Sequence, residues 1–456
     1  MTRSIGSLLL LGASGDLSGR LLLPALGQLF DREESRREVV LVGAGSEDWD
    51  ADAWRERLQT SFDSGDVSEE TLKSVLDTTQ YQHADVTSVE DLKSLIDSCP
   101  PAPALYFALP PSVTIAACKS LQQLSLPEGT TLVFEKPFGT DQESARSLNR
   151  LLAQLVPEEQ VHRVDHFLGR SSVLNLIGVR FANRLFEPVW SNEHIERVDI
   201  VFDEQLTLEN RARYYDRAGA LMDMIQSHLL QVLAIVAMEP ISGVNAVDFR
   251  DAKAQVLRAC RPWNNDPVSA GRRARYTRGS IDGRNVPDYT AEPGVDPARN
   301  TETLAELILE VDNWRWYGVP FRLRSGKALR ERRKETLITF KQLPHLPIGL
   351  RGKPIPDQLR LSMGPDRMAL EINVNGPQDP LILERISLDT NLNPGRLPAY
   401  GEVLAGVLDG DPLLSVRGDT AEECWRIVEP VLQAWRGGKV PMDEYAAGTD
   451  GPSDWS

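Results

Sequence analysis

Two ionisable side chains stand next to each other in the stretch RVDHFLGR, residues 163–170. If this stretch were one regular strand, Asp165 and His166 would point to opposite faces of it. A histidine titrates near neutral pH, and a carboxylate that bonds to an imidazole fixes its tautomer and raises its pKa. The two residues could act together, separately or not at all, and the stretch by itself leaves these possibilities open.

A second histidine, His228, lies in MDMIQSHLLQVLAIVAM, which has the composition of a buried helix. A single histidine in such a helix is more often a hydrogen-bonded core residue than a catalyst. Asp223 precedes His228 by five residues, which is about 140° around an α-helix. We therefore expect Asp223 to flank His228 rather than to stack on it.

Charged residues also occur where a purely structural pattern would not place them. In RVDIVFDE, Glu204 shares a strand face with the apolar Ile200 and Phe202. An acid there needs a partner, unless the strand has already ended. The segment GVPFRLRSGKALRERRKE, which contains Lys327 and Arg332, is strongly basic. It is the best local candidate for an anion site, and a solvated basic helix face is the alternative.

A glycine-rich segment, GASGDLSG, follows an apolar strand near the start of the chain and opens a helix. This context is the one a dinucleotide-binding turn requires, because the backbone can approach a pyrophosphate at a helix N-terminus. Its glycines, Gly12, Gly15 and Gly19, do not have the standard spacing, so an ordinary strand-to-helix turn is the alternative. The residues that we expect to contact a dinucleotide here are Gly12, Ser14, Gly15, Asp16 and Leu17.

A lysine ends the fourth apolar strand, in EKPFG. Ligands of doubly wound sheets bind beyond the carboxyl ends of the strands. Lys136 is therefore placed where it could touch a substrate or a cofactor. A solvated lysine at a surface turn is the alternative.

The alternation of elements indicates two domains. Apolar strands such as SLLLL, EVVLV, ALYFA and TTLVF alternate with helical patterns in the first third, which predicts a doubly wound parallel α/β sheet of the Rossmann type. Later strands alternate polar and apolar residues, which predicts an α+β domain with a large antiparallel sheet. We place the dinucleotide-binding domain at 1–165 and the α+β domain at 166–456. The Gly- and Pro-rich segment 279–303 is expected to be a loop over a site or an interface.

Composition excludes several classes of protein. The chain has 456 residues, 41% hydrophobic and 25% charged, with a formal net charge of −16. This charge argues against non-specific binding to nucleic acid or to anionic membranes. No unbroken apolar run approaches the roughly 18 to 20 residues of a membrane helix, and the short apolar start is interpreted as a strand. We expect a cytoplasmic protein whose four scattered cysteines are reduced and bind no metal.

In combination, these stretches resemble the glucose-6-phosphate dehydrogenase family over nearly the whole chain. The stretches that carry the resemblance, in order, are GASGDL, ALPPS, EKPFG, RVDHFLGR, VRFANRLFEPVW, QSHLLQ, DNWRWYGVPFRLRSGKAL and AAGTDGP. The resemblance implies oxidation of carbon 1 of glucose 6-phosphate to a lactone, the first step of the pentose phosphate pathway, with hydride transfer to NAD or NADP. It also implies a homodimer, or a dimer of dimers, formed through the antiparallel sheet.

The resemblance also implies roles for individual residues. His228 matches the general base, and Asp165 the acid that orients its imidazole. His166 and Arg170 match the residues that bind the substrate phosphate. Lys136 matches the lysine that orients substrate and nicotinamide. The remaining matched residues bind near the sugar or its phosphate: Glu204, Asp223, Lys327 and Arg332.

Three residues depart from the family pattern. Phe167 replaces a tyrosine, Arg170 replaces a lysine, and Met222 replaces an arginine. These changes keep a dehydrogenase for another sugar phosphate as an alternative. A catalytically silent paralogue that assembles with or regulates a dehydrogenase is a further alternative. It does not explain why the base and its orienting acid are both retained.

The expected cofactor is NAD, or both dinucleotides with NAD preferred. Relatives that use NADP place an arginine after the second strand, where this chain has Ser46 followed by Glu47. Leu21 replaces a second basic residue in the first helix. An acid at this position suits the ribose hydroxyls of NAD and repels a 2′-phosphate. Arg20 is close enough in sequence to supply the missing charge, which leaves NADP open.

Overall fold

The computed structural model describes residues 5–209 and 211–455. The chain forms two compact units. Unit 1 contains the chain up to residue 171 together with 241–251 and 395–422, and unit 2 contains 172–240, 252–394 and the chain from 423 onwards. The two later segments of unit 1 have no counterpart in the sequence analysis, because a contiguous pattern carries no signal for packing between distant segments.

Twelve α-helices occur in the described ranges. They are α1 Leu23–Arg32, α2 Ala51–Asp63, α3 Glu69–Thr78, α4 Val89–Asp97, α5 Pro111–Leu121, α6 Gln142–Leu152, α7 Ser171–Phe181, α8 Ala212–Ala220, α9 Leu230–Ala237, α10 Ala246–Ala259, α11 Ala399–Leu408 and α12 Gly418–Arg436. Two π-helical segments, Ser18–Leu22 and Leu221–Leu229, precede α1 and α9, and a short 3-10 turn spans His166–Gly169.

Eighteen strands occur in the same ranges. They are β1 Ser7–Leu11, β2 Val40–Gly45, β3 Gln80–His83, β4 Pro103–Phe107, β5 Thr131–Glu135, β6 Val161–Val164, β7 Ile195–Asp203, β8 Cys260–Pro262, β9 Gly271–Thr277, β10 Gly279–Ile281, β11 Arg284–Val286, β12 Leu304–Val311, β13 Phe321–Gly326, β14 Arg333–Phe340, β15 Gln358–Met363, β16 Asp366–Asn375, β17 Leu383–Asn391 and β18 Met442–Ala446.

Unit 1 is built on a six-stranded sheet in the order β3-β2-β1-β4-β5-β6. All five pairings are parallel. Alternate residues of β1 enter different core clusters, with Leu8 and Leu10 on one face and Leu9 and Leu11 on the other. A parallel sheet covered on both faces explains why these strands are apolar without alternation, and it confirms the predicted Rossmann-type sheet.

Unit 2 is built on a ten-stranded sheet in the order β17-β16-β15-β14-β7-β13-β12-β9-β18, with β8 also paired to β12. Most pairings are antiparallel, and β7–β13 and β9–β18 are parallel. The α+β prediction is therefore confirmed, with a mixed sheet in which antiparallel pairs dominate.

The segment 279–303, expected to be a loop, begins with a two-stranded hairpin. Strands β10 and β11 are paired and are joined by a turn of two residues, Asp282 and Gly283. Both have positive φ, 49° and 79°. An Asp-Gly pair favours the two-residue turns of tight hairpins. The signal for this hairpin was present in the sequence, and the loop prediction overlooked it.

One helical segment, Ala212–Ala237, is long and apolar enough by length and composition to cross a membrane. The expectation that no segment reaches this length considered unbroken apolar runs, whereas this one is interrupted by polar residues. Of its apolar 18-residue window, 83% is buried inside the protein. Burial in the core explains its composition.

A kink at Gly219 begins the part of this segment that carries Asp223 and His228. Gly219 has φ +66°, and a Cβ there would lie 2.3 Å from Oε1 of Glu302. The same Oε1 accepts a hydrogen bond from the backbone N–H of Leu221 at 3.0 Å. Glu302 is buried, and burial raises the pKa of its carboxyl to about 7. A buried acid thus satisfies the first free amide after the kink.

We expect Glu302→Gln to remove part of the pH dependence of stability. Because the folded-state pKa is raised, the carboxyl holds a proton between about pH 4.5 and 7 in the folded state alone, so stability falls as pH rises through this window. Glutamine keeps an acceptor for Leu221 but does not titrate. Between pH 5 and pH 8 the wild type should lose roughly 2 to 3 kcal/mol more free energy of unfolding than the variant, measured in urea.

Glu193→Gln, at an exposed position of the same unit, is the matched control and should follow the wild type at both pH values. Parallel pH profiles for the wild type and Glu302→Gln would contradict the raised pKa.

Candidate active site

Predicted site residues of unit 1 follow the carboxyl ends of its parallel strands. Gly12 follows β1, Ser46 follows β2, Lys136 follows β5 and Asp165 follows β6. Because the strands are parallel, these ends lie at one edge of the sheet, where doubly wound folds bind their ligands.

The glycine-rich turn is shaped by a close approach at Gly12. This residue has φ +88°, and a Cβ there would lie 2.4 Å from the carbonyl oxygen of Ala108, after β4. The hydroxyl of Ser18 donates to the carbonyl of Gly12 at 2.8 Å. Gly12 is therefore required by both backbone conformation and space. The turn leads into the helical segment that begins the path to α1, as a dinucleotide-binding turn does.

An acid occupies the end of β2 and contacts the turn. The hydroxyl of Ser14 donates to Oε2 of Glu47, and the Ser46 hydroxyl lies 3.4 Å from the same oxygen. The Ser14 hydrogen bond is the main cause that lowers the pKa of Glu47. The group beside the turn is thus a charged carboxylate, and Glu47 joins Ser46 among the candidate cofactor residues.

Arg20, a basic residue just after the glycine-rich turn, has an acidic partner. Arg20 lies 3.3 Å from Asp16, and both side chains are largely exposed. Ion pairs this exposed are weak, so the contact does not hold Arg20 firmly in place.

A second acid, Glu135, ends β5 directly before Lys136. The hydroxyls of Tyr106 and Tyr400 donate to its carboxylate at 2.5 Å and 3.5 Å. Desolvation raises the pKa of Glu135 to about 7, while the charge of Lys136 acts in the opposite direction. Glu135 is part of the EKPFG motif, but the motif alone does not indicate its role, and Tyr400 lies too far along the chain for any local pattern to indicate it.

The stretch that contains Asp165 and His166 is a turn rather than a continuous strand. Strand β6 ends at Val164, and Oδ1 of Asp165 accepts the N–H of Phe167 at 2.9 Å, which caps the 3-10 turn 166–169. The stretch is therefore not one regular strand, and the condition under which the two side chains would point to opposite faces is not met. Gly169 allows the turn to lie against α11, since a Cβ there would lie 2.3 Å from the carbonyl of Ala399.

Two aromatic contacts place His166 and Arg170 of this turn. The His166 ring stacks on Tyr400, with centroids 5.2 Å apart and planes 12° apart. The guanidinium carbon of Arg170 lies 4.7 Å from the ring centroid of the buried Phe167. Phe167, which replaces the family's tyrosine, thus packs against Arg170, which replaces the family's lysine.

In unit 2, Glu204 lies between two lysines. Its Oε2 is 2.9 Å from Nζ of Lys327 and its Oε1 is 3.0 Å from Nζ of Lys334. Desolvation opposes ionisation, but the charges of the two lysines lower the pKa of Glu204 below its usual value. This is the partner that an acid on an apolar face requires. Lys327 was predicted as a site residue and Lys334 was not, although both belong to the same basic segment.

Arg332 does not join this arrangement. It is exposed and forms no ion pair with any residue in the described parts of the chain. Strand β14 begins with the next two residues, Arg333 and Lys334. Because successive side chains of a strand point to opposite faces, only one of these two can lie on the same face of the sheet as Glu204.

Asp223 and His228 lie on the π-helical segment 221–229, and both are buried. The hydroxyl of Tyr214 donates to Oδ1 of Asp223 at 3.0 Å. In a π-helix residue i bonds to residue i+5, which brings residues five apart onto nearly the same side. The expected separation of about 140° assumed an α-helix and was wrong. The wider turn brings the two candidate residues closer together around the axis.

Two models of one protein family match nearly the whole chain. Residues 9–175 match the family described as "Glucose-6-phosphate dehydrogenase, NAD binding domain", and residues 177–456 match "Glucose-6-phosphate dehydrogenase, C-terminal domain". A glucose-6-phosphate 1-dehydrogenase of Gluconobacter oxydans is 37% identical over 97% of this chain and 93% of its own length.

Two solved structures are similar over nearly the full length. The glucose-6-phosphate 1-dehydrogenase of Mycobacterium avium is 34% identical with a TM-score of 0.87, covering 100% of this chain and 96% of its own. A glucose-6-phosphate dehydrogenase in complex with glucose-6-phosphate is 28% identical with a TM-score of 0.88, covering 99% and 96%.

Proposed function

The chain belongs to the glucose-6-phosphate dehydrogenase family, and we infer that it oxidises glucose 6-phosphate at carbon 1 to the lactone. The nicotinamide cofactor supplies the hydride acceptor when bound. The observation that carries this inference is the match of both family domains together with the residues that the family requires. The silent-paralogue alternative has no support, because the chain keeps these residues.

We propose His228 as the general base. It would take the proton of the 1-hydroxyl as the hydride leaves carbon 1, and Asp165 would stabilise the resulting imidazolium. The support within unit 2 is the buried position of His228 on a wide helical turn beside Asp223. The support within unit 1 is Asp165, held by the Phe167 amide at the carboxyl end of β6.

We propose that the substrate is held at both ends by charged residues. The Glu204–Lys327 pair and Asp223 suit sugar hydroxyls, because each offers a hydrogen-bonding group that a neighbouring side chain holds in position. Lys136 would orient the sugar and the nicotinamide. His166 and Arg170 would bind the phosphate, and Arg332 remains a proposed phosphate contact that the structure does not pair with Glu204.

We also propose a homodimer through the outer strands of the unit 2 sheet. Apolar side chains that are 40–53% exposed occur at and before β17, at Leu381, Ile382 and Leu388. Exposed apolar side chains on an outer strand favour association.

NAD, or dual use with NAD preferred, is the cofactor preference that we propose. The carboxylate of Glu47, held by Ser14, directly follows Ser46, the position at which the family's NADP users have an arginine. A negative charge there would repel a 2′-phosphate and accept hydrogen bonds from ribose hydroxyls.

His228→Asn is expected to lower kcat by about 10² to 10⁴ while binding of glucose 6-phosphate stays nearly unchanged. Asparagine keeps polarity but removes the base. Steady-state kinetics together with calorimetric binding would separate the two effects. Asp165→Asn should be damaging but milder, since it removes only the group that stabilises the base. A His228→Asn enzyme that retains a tenth of the wild-type kcat would place the base elsewhere.

His166→Ala and Arg170→Ala should raise KM for glucose 6-phosphate much more than KM for unphosphorylated glucose, because they bind a group remote from carbon 1. Tyr400→Ala should show the same pattern through loss of the ring under His166, whereas Tyr400→Phe keeps that ring and should be mild. The measurement is the KM ratio of the two sugars. Equal losses on both would mean that other residues hold the phosphate.

The ratio of kcat/KM for NAD to that for NADP should exceed one in the purified protein. Glu47→Gln removes the charge beside Ser14 and should lower this ratio, and Ser46→Arg should lower it further by adding a phosphate-binding group. Asp48→Asn is the control, since it removes a neighbouring exposed charge without the Ser14 contact. A wild-type ratio well below one would overturn the preference.

A further inference from the structure

One arginine outside the predicted site reaches the glycine-rich turn from helix α2. Nη2 of Arg57 donates to the carbonyl oxygens of Ser14 at 2.9 Å and Gly15 at 2.6 Å. The guanidinium also lies against Gly19, where a Cβ would be 2.3 Å from Cζ. Arg57 therefore contacts the turn at two consecutive peptides and at the third glycine of the segment.

Helix packing, rather than chance contact, places this side chain. Asp50 caps α2 by accepting the N–H of Ala53 at 2.8 Å. Trp54 and Leu58 are buried in the core of unit 1. Arg57 is three residues after Trp54, so it lies on the same side of the helix. Arg55 is on the exposed side and pairs only with Asp52 among the described residues.

The two carbonyl contacts fix the direction of the neighbouring amides. In a trans peptide the C=O and the N–H point to opposite sides. With the Gly15 carbonyl held toward Arg57, the N–H of Asp16 points away from the guanidinium. That amide is among the first of the helical segment, whose early N–H groups are free to bind an anion. The positive charge of Arg57, on the other side of the turn, also favours the binding of an anion at these amides.

We propose that Arg57 is a positioning residue for the dinucleotide, which shapes the Ser14–Gly15 turn for a pyrophosphate group before the cofactor binds. Gly19 is glycine because a side chain at that position would displace the guanidinium. The inference rests on the proposed use of this turn as the cofactor site. A residue that shapes the turn acts on the pyrophosphate, which NAD and NADP share, and so affects both cofactors equally.

The test is the affinity of the purified protein for NAD and for NADP, measured by calorimetry without substrate. Arg57→Ala should weaken both by about tenfold and by the same factor, since it removes charge-assisted hydrogen bonds that order the turn. At saturating cofactor, kcat and KM for glucose 6-phosphate should stay within about twofold. Arg55→Ala, on the exposed side of the same helix, should bind both cofactors like the wild type.

A second substitution keeps the proposal falsifiable if Arg57→Ala folds poorly. Gly19→Ala in the wild-type background should weaken both cofactors similarly, because the methyl group displaces Arg57. In the Arg57→Ala background, Gly19→Ala should cause no further loss of cofactor affinity, so the effects of the two substitutions should not add.

Three results would overturn the proposal: unchanged affinity in Arg57→Ala, a loss confined to NADP, or additive effects of the two substitutions. A loss confined to NADP would make Arg57 a direct ligand of the 2′-phosphate. A wild-type protein that binds neither dinucleotide would instead refute the proposed function.

Discussion

The direction of the six parallel strands in unit 1 is the constraint on which the candidate site depends. Since β1, β2, β5 and β6 run the same way, whatever follows each of them is delivered to one edge. Residues more than 100 positions apart in the chain thereby become neighbours of one crevice. The covering of both faces of the sheet by core residues makes this direction costly to change, because a reversed strand would lose its ladder and its burial.

Partly or fully buried acids occur in both units, Glu135 in unit 1 and Glu204 and Glu302 in unit 2, and the surroundings of each set its pKa. Glu204 is kept ionised by two lysines, whereas Glu135 and Glu302 have pKa values raised to about 7 by desolvation. An ionised acid suits a contact with a polar substrate. In both Glu135 and Glu302, the burial that disfavours the charged carboxylate outweighs the hydrogen-bond donors that favour it.

Much of the fold and part of the candidate site could be predicted from local sequence patterns. Apolar strands, the glycine-rich turn and the motif around Asp165 are short-range signals, and they identified both sheets and most candidate residues. Tyr400 and Lys334 were missed because their roles arise from pairing with distant segments. The π-helical turn of His228 was missed because the periodicity of a mainly apolar helix does not distinguish it from an α-helix.

In the proposed cofactor site, two different groups of the glycine-rich turn would serve cofactor binding and cofactor selectivity separately. At Ser14 the hydroxyl contacts Glu47, from the end of β2, while the carbonyl contacts Arg57, from α2. In the proposed cofactor site, the acid lies beside the ribose 2′ position, at which NAD and NADP differ in charge. The guanidinium holds peptides whose amides would face the pyrophosphate, which the two cofactors share. Because the contacts use different groups of the same residue, changes at Glu47 can alter cofactor preference while Arg57 preserves the shape of the turn.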